Sequence, residues 1–180
     1  MRRKLVAALL LGLCTPAVAA PLSEVPEPWA DRIVPIPEQR LAELEAASAT
    51  RISETRSRLN TMLAAADTKV AELAAVYGRL GALYAAYRLY AGAELAFGNA
   101  RALDPQDFRW TYYAAHLALE QGEAQQALGY LAEATQIDPG YPTLALRRGE
   151  ALLGLNRLEE ARAAYAQAAE RVMDAVRDLE

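Results

Sequence analysis

The feature that most constrains this chain is an internal repeat with a period of 34 residues, visible when the sequence is shifted along itself. The repeat runs without insertion over three units, at 74–107, 108–141 and 142–175. Each unit has a small residue at the same register, and these are Ala93, Ala127 and Ala161. Such a repeat predicts one supersecondary unit stacked three times, because a single unit cannot bury both of its faces.

The first unit carries the most complete spacing, Tyr77-x-x-Leu80-Gly81-x-x-Tyr84 followed by Ala93-x-x-x-Phe97. This pattern resembles the tetratricopeptide repeat. The resemblance implies an all-α fold, a right-handed superhelical stack of helix-turn-helix repeats that follows an N-terminal helical segment. It also implies a set of packing positions, at which small residues admit close helix contact, large ones fill the space beside them and prolines end the second helix. These positions are Tyr77, Leu80, Gly81, Tyr84, Ala93, Phe97, Ala100, Pro105, Ala127, Leu131, Ala134, Pro139, Ala161, Tyr165 and Ala168.

Some positions depart from the family pattern. Where the turn between the two helices usually has glycine, the second unit has Gly122, the third Asn156 and the first Arg88. We therefore expect the turn at Arg88 to differ in shape. In the second unit Ala115 and Ala118 replace the larger residues of the family pattern, and in the third Arg148 stands where a core leucine is usual. These changes predict weaker local packing.

The first residues of the chain have the pattern of a secretory signal peptide at 1–19. Basic residues at 2–4 precede a short apolar run, and small residues at 17–20 allow cleavage after Ala19. The apolar run is far shorter than the roughly 20 residues of a membrane span. Cys14 raises lipid modification as an alternative, but Leu13 stands before it, where lipoprotein signals have Gly, Ala or Ser. We expect a periplasmic or secreted protein without a lipid anchor.

Cleavage also changes the charge and the cysteine count. Removing the three basic residues lowers Lys and Arg from 19 to 16 against 23 Asp and Glu, a net charge of −7. Such a negative chain makes nucleic acid an unsuitable partner. Loss of Cys14 leaves no cysteine for a disulfide.

Two segments precede the repeats. The segment 20–37 contains five prolines and cannot sustain a helix, so it is predicted to be an extended arm. Its apolar residues, including Trp29 and Ile36, leave open whether it lies on the helical body, on a partner, or serves as a linker. The segment 38–73 has apolar residues at helical spacing and predicts one long helix or a helical hairpin that caps the stack. A seven-residue spacing that includes Ile52 and Leu59 suggests a coiled coil, but Arg56 interrupts the companion row.

By the geometry of the family that the chain resembles, the first helix of each unit lines a concave groove. The groove positions are Ala75, Gly78, Ala82, Ala85, Ala86, Arg109, Tyr112, His116, Leu119, Glu120, Thr143, Leu146, Glu150, Leu153 and Gly154. The residues expected to contact a peptide are Arg109, Tyr112, His116, Leu146, Arg147 and Glu150. Tyr112 and Leu146 would offer apolar area, Arg109 would meet a carboxylate and Glu150 a basic group. Alternatively, the groove is solvated or covered by the arm.

No residue pattern predicts catalysis, a metal or a cofactor. His116 is the single histidine, and a lone imidazole makes a poor metal site. Glu159 and Glu160 lie on a predicted helix surface, where a solvated face is the usual explanation of paired acids. The carboxylate clamp of some members of the family is not predicted either, because its positions hold Gly78, Ala82 and Tyr113.

These observations favour a periplasmic, non-enzymatic scaffold or adaptor that binds a protein or peptide partner in an envelope-associated assembly. The alternative is a structural spacer that self-assembles into a homo-oligomer through the N-terminal helices or through the last helix. That last helix is expected to end within 176–180 and to leave an apolar stripe facing water. The stripe consists of Val172, Met173, Val176 and Leu179.

Overall fold

The computed structural model describes residues 25–27 and 29–177, apart from the side chain of Ala175. The predicted signal peptide, Cys14 and Leu179 lie outside the described residues. The described part contains seven α-helices and no strand, so the prediction of an all-α fold is confirmed there. The helices are α1 (Ala46–Ala64), α2 (Val70–Ala86), α3 (Tyr90–Leu103), α4 (Phe108–Glu120), α5 (Ala124–Ile137), α6 (Leu144–Gly154) and α7 (Leu158–Arg177).

Each helix packs on the next one along the chain. Three helix pairs result, α2 with α3, α4 with α5, and α6 with α7. The first helices of successive pairs also touch, α2 on α4 and α4 on α6. The pairs therefore form a stack in which α2, α4 and α6 lie side by side.

The three turns inside the helix pairs have the same backbone conformation. Arg88 and Asn156 both have φ of 57°, and Gly122 at the equivalent register has φ of 78°. In all three turns the following amide donates to the carbonyl five residues back, as from Leu89 N to Tyr84 O at 2.9 Å. This is the Schellman ending of a helix. The expectation that Arg88 gives a different turn was wrong, because the repeat geometry imposes the left-handed conformation on a residue that disfavours it.

The turns between helix pairs also repeat, up to the last helix. The amides of Asp104 and Asp138 each donate to the carbonyl four residues back at 2.9 Å, and an exposed proline follows each aspartate. At the next equivalent register the chain has Val172-Met173 in place of Asp138-Pro139. With nothing there to end the helix, α7 continues to Arg177.

Close contact inside each pair depends on complementary residue volumes. A Cβ at Gly81 would lie 2.7 Å from the Phe97 ring, and a Cβ at Gly149 would lie 2.6 Å from the Tyr165 ring. The middle pair has Ala115 at the glycine register and the smaller side chain of Leu131 at the aromatic register. An extra methyl group on one helix is thus matched by a smaller side chain on the other.

The arm lies on the helical body at the N-terminal end of the stack. Trp29, Ile33 and Ile36 are buried in the same apolar core as α1, α2 and α3. The Val34 amide donates to Asn99 Oδ1 at 2.7 Å, and Asn99 Nδ2 donates to the Val34 carbonyl at 2.8 Å. This reciprocal pair satisfies backbone groups that an extended segment otherwise leaves to water.

The helix α1 closes the same end. Ile52 and Leu59 are completely buried, and α1 packs on α2 after a short turn. Arg56 of α1 donates to the Tyr84 hydroxyl at 2.6 Å and to the Pro37 carbonyl at 3.3 Å. Within 38–73 the structure therefore has one helix, α1, followed by the first turn of α2.

Candidate functional site

The wall formed by α2, α4 and α6 is the candidate groove, and its α2 end is made of small residues. Ala75, Ala82 and Ala86 are exposed, and Ala85 is half-buried. Gly78 is buried instead, because a Cβ there would lie 2.1 Å from the Trp110 ring. The expectation that Gly78 lines the groove was therefore wrong, since Trp110 of α4 packs directly on the glycine backbone.

A small pocket of about 190 Å³ lies between α2 and α4. It joins three alanines of α2 to Phe97, Tyr113, His116, Leu117 and Glu120. His116 Nδ1 is 3.5 Å from Glu120 Oε1. The small alanine side chains of α2 leave this pocket open, and Tyr113, His116 and Glu120 of α4 are the groups in it that a bound molecule could contact.

Aromatic rings cluster where α4 faces α6. The Phe108 and Tyr112 rings stack with centroids 5.4 Å apart, and Tyr141 meets Phe108 at 4.4 Å and Tyr112 at 5.0 Å. The Tyr112 hydroxyl and Thr143 Oγ1 are 2.8 Å apart. Shared hydrogen bonding and ring contact hold the Tyr112 side chain in one position, half-buried in the wall.

The polar groups of the groove on α6 form an ion pair. Arg147 Nη1 donates to Glu150 Oε2 at 2.9 Å and to Oε1 at 3.2 Å. The hydrogen bond to Glu150 is the main cause that raises the pKa of Arg147 above its ordinary value, and the Tyr112 hydroxyl contributes less. Beside this pair Leu146 and Leu153 are 40% and 53% exposed. The α6 part of the wall therefore presents two aliphatic side chains next to one paired charge of each sign.

Arg109 lies at the start of α4, where its guanidinium already has partners. Its Nε donates to Asp107 Oδ1 at 2.9 Å, and its guanidinium carbon lies 4.6 Å from the centroid of the Trp110 ring. Asp107 also accepts from the Arg109 amide at 3.1 Å and so caps α4. The hydrogen bond from Arg109 lowers the pKa of Asp107. A partner carboxylate at Arg109 would have to compete with Asp107.

The structure thus brings together Tyr112, Arg147, Glu150 and Leu146 at the junction of α4 and α6. His116 lies in the neighbouring small pocket, and Arg109 lies apart from both. Phe97 and Tyr113 line the small pocket, and the sequence analysis did not include them among the residues expected to contact a peptide. Tyr113 stands at one of the groove positions that the family's carboxylate clamp uses, and this register was the signal that could have found it.

The predicted packing residues are buried, with three exceptions. Pro105 and Pro139 are exposed in the turns between pairs, and Tyr165 is half-buried over Gly149. Within the described ranges no cluster of three His, Cys, Asp or Glu side chains is arranged to hold a metal ion. Over the same ranges no helix combines the length and the apolar character that a bilayer span requires.

Three stacked helix pairs joined by identical turns define a helical-repeat protein. The family description that matches the sequence is the tetratricopeptide repeat, and the match covers residues 118–179, from the end of α4 through α7. This match supports tetratricopeptide repeats over the last third of the chain, and the pairs formed by α2 to α5 repeat the same turns and the same consecutive packing. Repeats of this family form protein-binding scaffolds and are generally not catalytic.

Proposed function

We propose that this protein is an exported scaffold that holds an extended segment of a partner protein in the groove along α2, α4 and α6. One observation carries the proposal: Leu146 and Leu153, seven residues and so two turns apart on one face of α6, are left 40% and 53% exposed. Exposed aliphatic side chains on one helix face lose contact with water when a partner covers them, and this burial favours binding.

The polar groups of the groove favour an extended peptide as the binding partner over the flat surface of a folded protein. The Arg147 and Glu150 side chains are 29% and 36% exposed, so their ion pair is partly open to solvent. Such a pair contributes little stability on its own. A peptide that supplies a carboxylate to Arg147 and a basic group to Glu150 can therefore replace the pair at small cost.

The N-terminal residues support export to the periplasm or outside the cell. The basic start, the short apolar run and the small residues before Ala20 are those of a cleaved signal. In that compartment we propose a role in an envelope-associated assembly, with no catalytic step and no cofactor. Fractionation of cells that produce the full chain tests this part, and recovery only in the cytoplasm would contradict it.

The binding proposal is tested by photo-crosslinking in cells. A benzophenone amino acid at position 153 should give an adduct with a partner protein, because Leu153 is exposed in the groove. The adduct should disappear when Leu146→Ser is added and remain when Leu158→Ser is added. Leu158 is a matched control, since it is 55% exposed but lies at the start of α7, outside the groove. An adduct that survives Leu146→Ser would contradict groove binding.

A second candidate function, self-assembly, is favoured by the end of α7. Val172, Met173 and Val176 are 60%, 63% and 54% exposed on the part of α7 that continues beyond the repeat register. Light scattering distinguishes the two proposals. A dimer that dissociates in Val172→Ser/Val176→Ser, but not in Val34→Ser, supports self-assembly, because Val34 is equally exposed, at 54%, in the arm. A monomeric wild-type protein removes this candidate.

A further inference from the structure

A second cavity, the junction pocket, lies between α5, α6 and α7 and has a volume of about 410 Å³. Arg148 and Leu152 line it from α6. Steps of about 100° per residue place these two side chains on the face of α6 opposite to Leu146 and Glu150. The junction pocket is therefore separate from the groove.

The junction pocket combines an apolar floor with basic groups. Leu131, Leu144 and Leu152 are buried beneath it. Its charged lining residues are three arginines, and no carboxylate belongs to its lining. These arginines are Arg148, Arg157 and Arg171.

The three arginines differ in the partners they have. Arg157 donates to Glu160 through two hydrogen bonds of 2.7 Å, and Arg171 Nη1 donates to the Tyr141 carbonyl at 3.3 Å. Arg148 has neither an ion pair nor a hydrogen bond to any residue that the structure describes. The nearest anion is Glu160, which is hydrogen-bonded to Arg157 and interacts with Arg148 electrostatically, without a direct ion pair.

The preceding junction, between α3, α4 and α5, shows that this arrangement is not a property of the repeat itself. Moving back by one 34-residue period replaces Arg148 by Ala114, Arg157 by Glu123 and Arg171 by Ile137. Gln167 of the junction pocket becomes Glu133. The first junction therefore has two acidic residues at these positions, whereas the second has three arginines, although the helices are arranged alike.

The preceding junction also has a cavity, of about 400 Å³, but its lining includes Glu133 beside Arg101. Arg101 lies 4.6 Å from the centroid of the Tyr130 ring and pairs with Glu133. One period later Tyr130 is replaced by Ala164, and Arg101 by Thr135, whose hydroxyl donates to the Leu131 carbonyl at 2.7 Å. The ring and the internal cation that occupy the first junction are absent from the second.

We propose that the junction pocket binds an acidic peptide segment of a partner protein. One apolar side chain of the segment enters over the leucine floor, and neighbouring carboxylates pair with Arg148 and Arg171, while Arg157 stays bound to Glu160. The cavity volume lies within the range of ligand-binding pockets, roughly 300 to 1,000 Å³. Arginine is suited to carboxylates because its planar guanidinium donates two parallel hydrogen bonds. This site is independent of the proposed groove and lies on another face.

The test begins with selection of a displayed random-peptide library on the full chain. We expect enrichment of sequences in which Asp or Glu flanks a large apolar residue. A synthetic selected peptide, labelled for fluorescence anisotropy, should bind Arg148→Glu about tenfold more weakly or worse, because repulsion replaces a charge pair. Arg162→Glu is the matched control, with the same charge change at an exposed position of α7 outside the pocket.

Further variants separate this site from the groove. Leu146→Ser should leave the peptide affinity unchanged, whereas a peptide with Asn and Gln in place of its acids should bind weakly. If Arg148→Glu does not fold, Arg148→Gln supplies the same comparison without charge reversal. Failure to enrich acidic peptides, equal binding by Arg148→Glu, or loss of binding in Leu146→Ser would each overturn the proposal. Tight binding of dodecanoate without any selected acidic peptide would overturn it in favour of a lipid carboxylate.

Discussion

The two ends of the repeat stack are covered to very different degrees. At the N-terminal end the arm and α1 bury the first helix pair, and Ile36, Ile52 and Leu59 are at most 1% exposed. At the C-terminal end α7 continues beyond the last pair with Val172 and Met173 more than half exposed. Among the described residues, the stack of repeated units thus has one end that segments outside the repeat cover and one end that they leave exposed.

The largest expected difference between the ends is in the free energy of unfolding that is lost when one aliphatic side chain is shortened to alanine. Ile36→Ala should lower the free energy of unfolding by about 2 to 5 kcal/mol, because it empties space in a closed core. Val172→Ala should change it by less than about 0.5 kcal/mol. Urea denaturation of both variants measures this. Equal small effects would show that the arm does not pack as described.

A smaller difference is expected for the same contact in the first and last pairs. Gly81→Ala places a methyl group against Phe97, which is only 2% exposed, and should cost about 1 to 3 kcal/mol. Gly149→Ala meets Tyr165, which is half-buried and free on one side to move outward. We expect the second cost to be clearly lower in thermal or urea unfolding. A higher cost at Gly149 would mean that the last helix pair is packed more tightly than the first, which would contradict the proposal.

The smallest effect concerns the turns, which are alike at both ends. Arg88→Gly should stabilise the protein by about 1 kcal/mol, because glycine adopts positive φ without steric cost. Asn156→Gly should gain less, since asparagine tolerates this conformation better than arginine. Parallel unfolding curves of the two variants measure the difference. Destabilisation by Arg88→Gly would mean that the arginine side chain contributes more than the strain of its backbone.

The repeat could be predicted from the sequence because its information is periodic. Ala93, Ala127 and Ala161 stand at one register, and each is buried where the next helix approaches. The turn at Arg88 could not be predicted from residue type, since the helices on either side determine its conformation. The 34-residue repeat therefore predicts the conformation of this turn better than the backbone preference of the residue in it.

Contacts that are not repeated from one unit to the next could not be predicted from the sequence. The hydrogen bonds between Val34 and Asn99 join residues 65 apart, outside any period. Gly78 was assigned to the groove by its register, but the ring of Trp110 covers it. The junction pocket also has no signal in a single unit, because it appears only when Arg148, Arg157 and Arg171 are compared with the residues one period earlier.

Hydrogen exchange resolved by mass spectrometry tests the contrast between the ends most directly. We predict that the amides of Ile33 and Val34 and those of α1 exchange slowly, together with those of α2, since Ile33 donates to the Trp29 carbonyl and Val34 to buried Asn99. The amides of 172–177 should exchange rapidly, because Val172, Met173 and Val176 are more than half exposed among the described residues and this part of α7 can fray. Exchange at Ile33 and Val34 as fast as at 172–177 would contradict the account.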